Sequence, residues 1–388
     1  MDFALTDTQR EIREQVLRLC ARFDAAYWLE RDRTGTFPEA FFAAMVKGRW
    51  LGIAMPEAYG GAGLGIGEAA IMMQAVAESG AAMSGASAIH MNIFGLNPVA
   101  VFGTPEQKSR MLPPLIAGQD RACFGVTEPD AGLNTTAITT RAERRGDRYV
   151  VHGTKHWTST AQEATRILLL TRTTPLDQVR RRTDGMTLFY ARLDRARAEV
   201  RPIHKMGRHA VDSNVVFFDG MEIPVEDRIG AEGEGFRVLL HGLNPERILV
   251  AAEAIGIGRA ALARAAGYAR ERRVFGRAIG QNQAVQHPLA ESWAELEAAN
   301  LMMLKAAWLY DTGQECGAAA NAAKYLAAEA GFRACERAVM THGGMGYAQE
   351  YHVERYLREV LIARLTPISP QLILCYLAER MLDLPKSY

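Results

Sequence analysis

RYVVHG (residues 148–153) is a short run of aromatic and β-branched side chains closed by glycine. RILLLTRT (166–173), MTLFYARL (186–193) and NVVFFDGMEIP (214–224) repeat that texture, with Gly, Asp and Arg turns between them. Such runs read as strands, so residues 121–232 are expected to form a central β domain. On either side the pattern is helical. In residues 1–120, Thr6 and Gln9 have capping-box spacing, and Ile12, Val16, Leu19, Cys20 and Phe23 fall on one helical face. Further helices are expected around 38–50 and 67–78, joined by the glycine-rich connector MPEAYGGAGLGIG (55–67). From 233 to 388 the helical period returns at roughly 245–271, 285–312, 317–341 and 371–383, broken by RRVFGR, DTGQEC and THGGMGYAQEY. Alanine and long unbranched side chains dominate there, as closely packed bundle helices require. The chain thus reads α, then β, then α.

A length of 388 residues allows two or three core-bearing segments and a sizeable buried site. A net charge of +1 supplies no field for nucleic acid or an anionic membrane surface, so small molecules or proteins are the expected partners. Five scattered cysteines without a C-x-x-C pair suggest neither a disulfide framework nor zinc, and a reducing cytoplasm fits them. The N-terminal stretch lacks the signature of a signal or transit peptide. Ser79–Pro105 carries no Asp, Glu, Lys or Arg, but its glycines, asparagines, proline and His90 favour a buried helix-and-turn segment over a membrane span. His287, His342 and His352 lack metal-ligand spacing, so no metal is expected.

Several segments could carry chemistry. FGVTEPDAGLNTT (124–136) can offer backbone N–H groups and the Thr127 hydroxyl to a polar ring or diphosphate, or be a plain turn. GTKHWTST (153–160) sets Trp157 beside Thr158, Ser159 and Thr160, which suits a flat heteroaromatic ring, although a tryptophan is more often core. ARERRVFGRAIGQNQ (269–283) gathers arginines around Phe275 for phosphate oxygens, or forms a solvated basic turn. Gly343 and Gly344 in THGGMGY allow close backbone approach or cap a helix. GIGRAA, from Gly256, matches a dinucleotide fingerprint but follows no strand, so its glycines read as helix packing. GLNPERILVAAEAIG (242–256) places Glu246 after Pro245 at the head of an apolar run. Asn244 could cap a helix there, with Pro245 and an acid in its first turn.

Taken in order, VTEPDAG, GTKHWTS, RVFGRAIGQNQAVQ, HGGMGYAQEYHVER and SPQLILCYLAER, together with MDFALTDTQREIRE at the start, resemble the acyl-CoA dehydrogenase family over nearly the whole chain. The resemblance implies an α+β fold with an N-terminal helical domain, a central β-barrel-like domain and a C-terminal four-helix bundle. It implies FAD held between the domains and across a subunit interface, in a homotetramer built as a dimer of dimers. Phe124, Val126, Thr127 and Gly132 would line the flavin and its ribityl chain. Trp157 would cover a ring face, with Thr158 and Ser159 at its polar edge. Arg272, Phe275, Gln283, Met340, Gly343 and Gly344 would reach the neighbouring subunit's FAD, and Ser369 and Gln371 the near one. Leu133 stands where relatives carry a serine that holds cofactor and substrate, and Asn244 where many carry an aspartate near CoA.

The implied reaction is α,β-desaturation of an acyl-CoA, with electrons passed on to an electron-transfer flavoprotein. Most relatives carry the base in the C-terminal loop, which here reads RLTPISPQ and has no acid; Pro367 stands at the aligned position. A minority, including isovaleryl- and long-chain-type enzymes, place it before an arginine at a helix start, which Glu246–Arg247 matches. By that resemblance Glu246 is the catalytic base and Arg247 binds CoA. Pro367 lacks an N–H, so Ile368 or a shifted register would have to supply the donor to the thioester oxygen. Two alternatives stay open at this point: a same-fold flavin oxidase or monooxygenase, and a non-catalytic acyl-CoA-binding flavoprotein.

Overall fold

The structure is a computed structural model that describes residues 4–387; the first three residues and Tyr388 of the two outer expected domains lie outside them. The N-terminal segment forms α1 (Asp7–Cys20), α2 (Ala25–Thr34), α3 (Glu39–Lys47), α4 (Ile66–Val76), α5 (Ala82–Phe94), α6 (Asn97–Phe102) and α7 (Pro105–Ile116). The capping box forms as expected: Thr6 Oγ1 accepts from the Gln9 amide and Gln9 Oε1 from the Thr6 amide, both at 3.2 Å. The uncharged 79–105 stretch folds as α5 and α6, and α5 is buried along almost its whole length.

The central segment contributes β1 (Ala122–Gly125), β2 (Arg141–Arg145), β3 (Arg148–Ser159), β4 (Arg166–Arg172), β5 (Met186–Arg192), β6 (Ala198–Pro202), β7 (Ser213–Pro224) and β8 (Arg228–Ile229). They form one sheet in the order β6-β7-β3-β2-β4-β5-β8, with β1 adding to β4 in parallel. The sheet path stays open, ending at β6 and β8. Both faces of β4 are buried, which explains its unbroken apolar run. Leu168 and Leu170 pack with Met111, Leu115 and Leu239 from the helices, while Ile167 and Leu169 pack with Cys123, Phe189 and Phe218.

The C-terminal segment comprises α8 (Gly235–Glu271), the hairpin β9 (Arg273–Val274) and β10 (Arg277–Ala278), α9 (Gln283–Asp311), α10 (Gly317–His342), α11 (Val353–Leu365) and α12 (Pro370–Met381). Its core is continuous with that of the N-terminal helices: Val16, Phe41 and Met72 share one cluster with Ile248, Ala299 and Ala327. The glycines of GIGRAA do serve packing. A Cβ on Gly256 would stand 2.4 Å from the Gln74 carbonyl oxygen, and one on Gly258 2.7 Å from Leu296 Cδ2.

Two expectations need correction. First, α8 does not begin at Asn244. It runs 37 residues from Gly235 straight through Pro245, so Asn244 is no cap and Glu246 meets no free helix-start amides. Packing of Val238 and Leu239 against the sheet cluster outweighs the single hydrogen bond that the proline removes. Second, α11 was not anticipated. Its buried face carries Arg355 and Glu359, paired one turn apart at 3.1 Å, which disguises the apolar period. Glu359 also accepts from the Ser84 amide at 2.8 Å and the Ser84 hydroxyl at 2.7 Å, anchoring the first turn of α5.

Candidate active site

The site is assembled from two loops clamped together on the sheet and from the facing sides of α5 and α8. In β3 the pairing with β7 slips between Lys155 and Thr158. This bulge turns Trp157 outward at positive φ (59°), leaving it 55% exposed while Lys155 and Thr158 are fully buried. The 124–132 loop is tied to the bulge three times: Lys155 Nζ donates to the Val126 carbonyl at 2.9 Å and to Glu128 Oε1 at 2.8 Å, and the His156 amide donates to the Thr127 carbonyl at 2.8 Å. Glu128 also accepts from the Thr139 amide and hydroxyl and from the Thr140 amide. Although burial opposes its charge, Lys155 and these donors hold the Glu128 carboxyl below the usual glutamate value.

Glu246 lies on α8. Its Oε2 is buried and has no hydrogen-bond partner. Burial pushes the carboxyl up to about 7, against the opposing pull of His90, Arg247 and Lys324. Arg247 Nη1 donates to Asn244 Oδ1 at 2.9 Å, and its Nε is buried without a partner. Glu253 lies seven residues on, two turns or about 10 Å along the same helix face, and meets His90 Nδ1 at 2.6 Å. Burial alone would lower His90, but Glu253, and then Glu246, outweigh it and hold the imidazole above its ordinary value. The His90 ring lies edge-on to Phe94 with centroids 4.8 Å apart, and Phe94 to Phe124 at 6.2 Å, so α5 joins the Glu246 cluster to the 124–132 loop.

The remaining expected residues make none of these contacts. Gly132 has open space around it, with no atom within 4 Å of a would-be Cβ, and Leu133 is 56% exposed. Ser369 caps α12 by accepting from the Leu372 amide at 3.4 Å, and Gln371 is exposed in its first turn. Lys324, fully buried on α10, holds the preceding loop by donating to the Ile368 carbonyl at 2.7 Å. Arg272, Phe275, Gln283, Met340, Gly343 and Gly344 are all exposed, Phe275 completely. His342 stacks on Tyr268 at 4.3 Å, which brings the ends of α8 and α10, and with them these segments, to one end of the bundle. Sequence reasoning missed His90, Glu253, Lys324, Glu128 and Lys155 as site-builders. The G-x-K-x-W spacing contained Lys155, but the His90–Glu253 partnership spans 163 residues and leaves no local signal. All five cysteines are free, and among the described residues no cluster suited to a metal is present.

The family models for the acyl-CoA dehydrogenase N-terminal, middle and C-terminal domains match residues 6–119, 123–221 and 233–366. The chain belongs to the acyl-CoA dehydrogenase family. This family member is 37% identical over 391 residues to acyl-CoA dehydrogenase FadE12 of Mycobacterium tuberculosis, covering 100% of this chain and 99% of that one. It is 31% identical over 334 residues to the caffeyl-CoA reductase-Etf complex subunit CarC of Acetobacterium woodii, covering 85% and 86%. Among solved structures, butyryl-CoA dehydrogenase from Megasphaera elsdenii superposes with a TM-score of 0.93 at 28% identity, covering 98% of this chain and 100% of that one. The protein is an oxidoreductase, and FAD is its cofactor. Its residues fit that group: beside exposed Trp157, Thr158 Oγ1 and His156 Nδ1 are buried without hydrogen-bond partners, and Gly132 leaves room for close approach. Among the described residues no single helix is long and apolar enough to cross a membrane.

Proposed function

We propose that the enzyme desaturates an acyl-CoA between its α and β carbons, with Glu246 removing the α-hydrogen as a proton. FAD would supply the acceptor for the β-hydrogen, which leaves as hydride, and the product is the enoyl thioester. The carrying observation is the Glu246 carboxyl: buried, one oxygen without a partner, and raised to about 7 by desolvation. A base that holds its proton more firmly in a water-poor site suits a weak carbon acid. Arg247, braced by Asn244 and with Nε unpaired, would bind the CoA moiety. Phe124, Val126, Thr127, Gly132, Trp157, Thr158 and Ser159 would hold the flavin, with Leu133 touching cofactor and substrate. Lys324 fixes the 366–369 loop through the Ile368 carbonyl, which supports Ile368, rather than a shifted register, as donor to the thioester oxygen. The test is anaerobic flavin bleaching by a panel of acyl-CoAs, in the native enzyme and in Glu246→Gln. In the native enzyme the bleaching rate should rise about tenfold per pH unit below pH 7 and level off above it, because only the ionised carboxylate accepts the proton.

A homotetramer is proposed as the working form, with Arg272, Phe275, Gln283, Met340, Gly343 and Gly344 reaching the neighbour's FAD and Ser369 and Gln371 the near one. The support is apolar surface that a lone chain leaves in water: Phe275 is 100%, Met340 75%, Trp293 63% and Trp308 58% exposed. Trp293→Glu combined with Trp308→Glu should reduce the mass seen by light scattering to that of a dimer or monomer; an unchanged tetramer would place the interface elsewhere. An electron-transfer flavoprotein is the proposed acceptor, supported by the likeness to a subunit of a reductase-Etf complex.

A further inference from the structure

Arg208 is a cation without a counter-ion. Its Nη1 donates to Ser87 Oγ at 3.0 Å, and its Nη2 to Ser159 Oγ and Ser213 Oγ, both at 3.3 Å. The carboxylates that act on it through space, Glu359, Glu253 and Asp212, are engaged elsewhere. Glu359 holds Arg355 and Ser84, Glu253 holds His90, and Asp212 accepts from the Gln162 amide and from Asn214. Among the described residues none forms an ion pair with Arg208. A guanidinium packed among hydroxyls keeps a desolvation penalty that an anion would relieve.

The surroundings say where that anion would lie. Ser87, His90 and Phe94 stand on one face of α5, three and four residues apart. Ser87 meets Arg208, His90 meets Glu253 on α8, and Phe94 meets Phe124 on the flavin-side loop. That face therefore leads from Arg208, which also holds Ser159, to His90, on which Glu246 acts through space, and the acyl chain would run along it if Glu246 is the base. His90 Nδ1 is taken by Glu253, which leaves Nε2 as its nitrogen without a protein partner. Arg208, Arg247 and Lys324 lie around this face together with Glu246 and Glu253, and the two carboxylates hold the His90 imidazole above its ordinary value.

We propose that the acyl pocket selects thioesters whose acyl group carries its own carboxylate, bound by Arg208 with His90 and Ser87, so that the preferred substrates are dicarboxylic acyl-CoAs. This rests on the reading of Glu246 as base. A purely apolar chain would pass the same residues but leave half-buried Arg208 without a counter-ion, and sites of that kind reject ligands lacking the polar group more sharply than apolar pockets reject a methylene.

The test uses the FAD-loaded enzyme and length-matched pairs: butyryl-CoA against succinyl-CoA, pentanoyl-CoA against glutaryl-CoA, hexanoyl-CoA against adipyl-CoA. Anaerobic bleaching gives kcat/KM for each. In at least one pair the carboxylated member should be favoured at least tenfold, Arg208→Met should lower that ratio at least tenfold, and Arg208→Lys should restore part of it. His90→Phe, tested in parallel, should lower the same ratio and guards against misfolding of Arg208→Met. The proposal is overturned if the plain acyl-CoA is equal or better in every pair, or if the ratio survives both substitutions. It is also overturned if Arg208→Met moves the flavin reduction potential while the ratio stays constant, since Arg208 would then serve the cofactor through Ser159. Failure of every thioester to bleach the flavin would instead remove the desaturase reading, and this proposal with it.

Discussion

Glu246→Gln is expected to keep its FAD and its fold and to lose flavin reduction by acyl-CoA by about a thousandfold or more, the scale that a positioned general base contributes. Glutamine preserves volume and one carbonyl oxygen but cannot take a proton. The same substitution makes a second, independent prediction through stability. Burial raises the Glu246 carboxyl from the usual 4.5 to about 7, so the folded protein holds this proton more tightly than the unfolded chain. Folding stability is therefore lost as pH rises from about 4.5 to 7, and glutamine, which has nothing to ionise, escapes that loss. The variant should melt above the native enzyme at pH 8, by at most about 3 kcal/mol, and alike near pH 4. Unimpaired bleaching would sink the catalytic role. Equal melting at pH 8 would show instead that the carboxylate is solvated in the folded state.

How much of this was legible in the sequence follows from which interactions are local. The three-part order of helices, strands and helices, the capping box at Thr6 and the packing role of Gly256 and Gly258 depend on periodicity, and all were readable. The start of α8 was not. Asn244–Pro245–Glu246 has every local mark of a helix N-terminus, yet the preceding turns are kept helical by Val238 and Leu239 packing in one cluster with residues of the sheet and of α7, none of which the local sequence shows. Glu246 and Arg247 stand out only against a C-terminal loop at Pro367 that carries no acid. The partners that set their environment, His90 and Lys324, sit in α5 and α10 with nothing in their own neighbourhoods to mark them. Arg208 was equally silent: its three partners, Ser87, Ser159 and Ser213, lie on three separate elements.

Lys155→Met is expected to have the largest effect on stability of any single substitution around the site. Lys155 is wholly inaccessible, and its ammonium donates to the Val126 carbonyl and to Glu128, itself only 4% exposed. Methionine fills nearly the same space but leaves Glu128 as a buried carboxylate without its counter-ion. Removing one partner of such a pair typically costs about 3–5 kcal/mol, far more than the pair contributes relative to apolar replacements. Three local hydrogen bonds from Thr139 and Thr140 remain to Glu128 and place the loss toward the lower end of that range. Because the same ammonium ties the 124–132 loop to the bulge that turns Trp157 outward, FAD retention should fall along with the melting temperature. Adding Glu128→Gln to Lys155→Met removes the orphaned charge and should recover a substantial part of the stability but not of the FAD content, since the bond to Val126 stays broken. A single substitution that melts like the native protein, or a double variant no more stable than the single, would show that the pair does not organise the two loops.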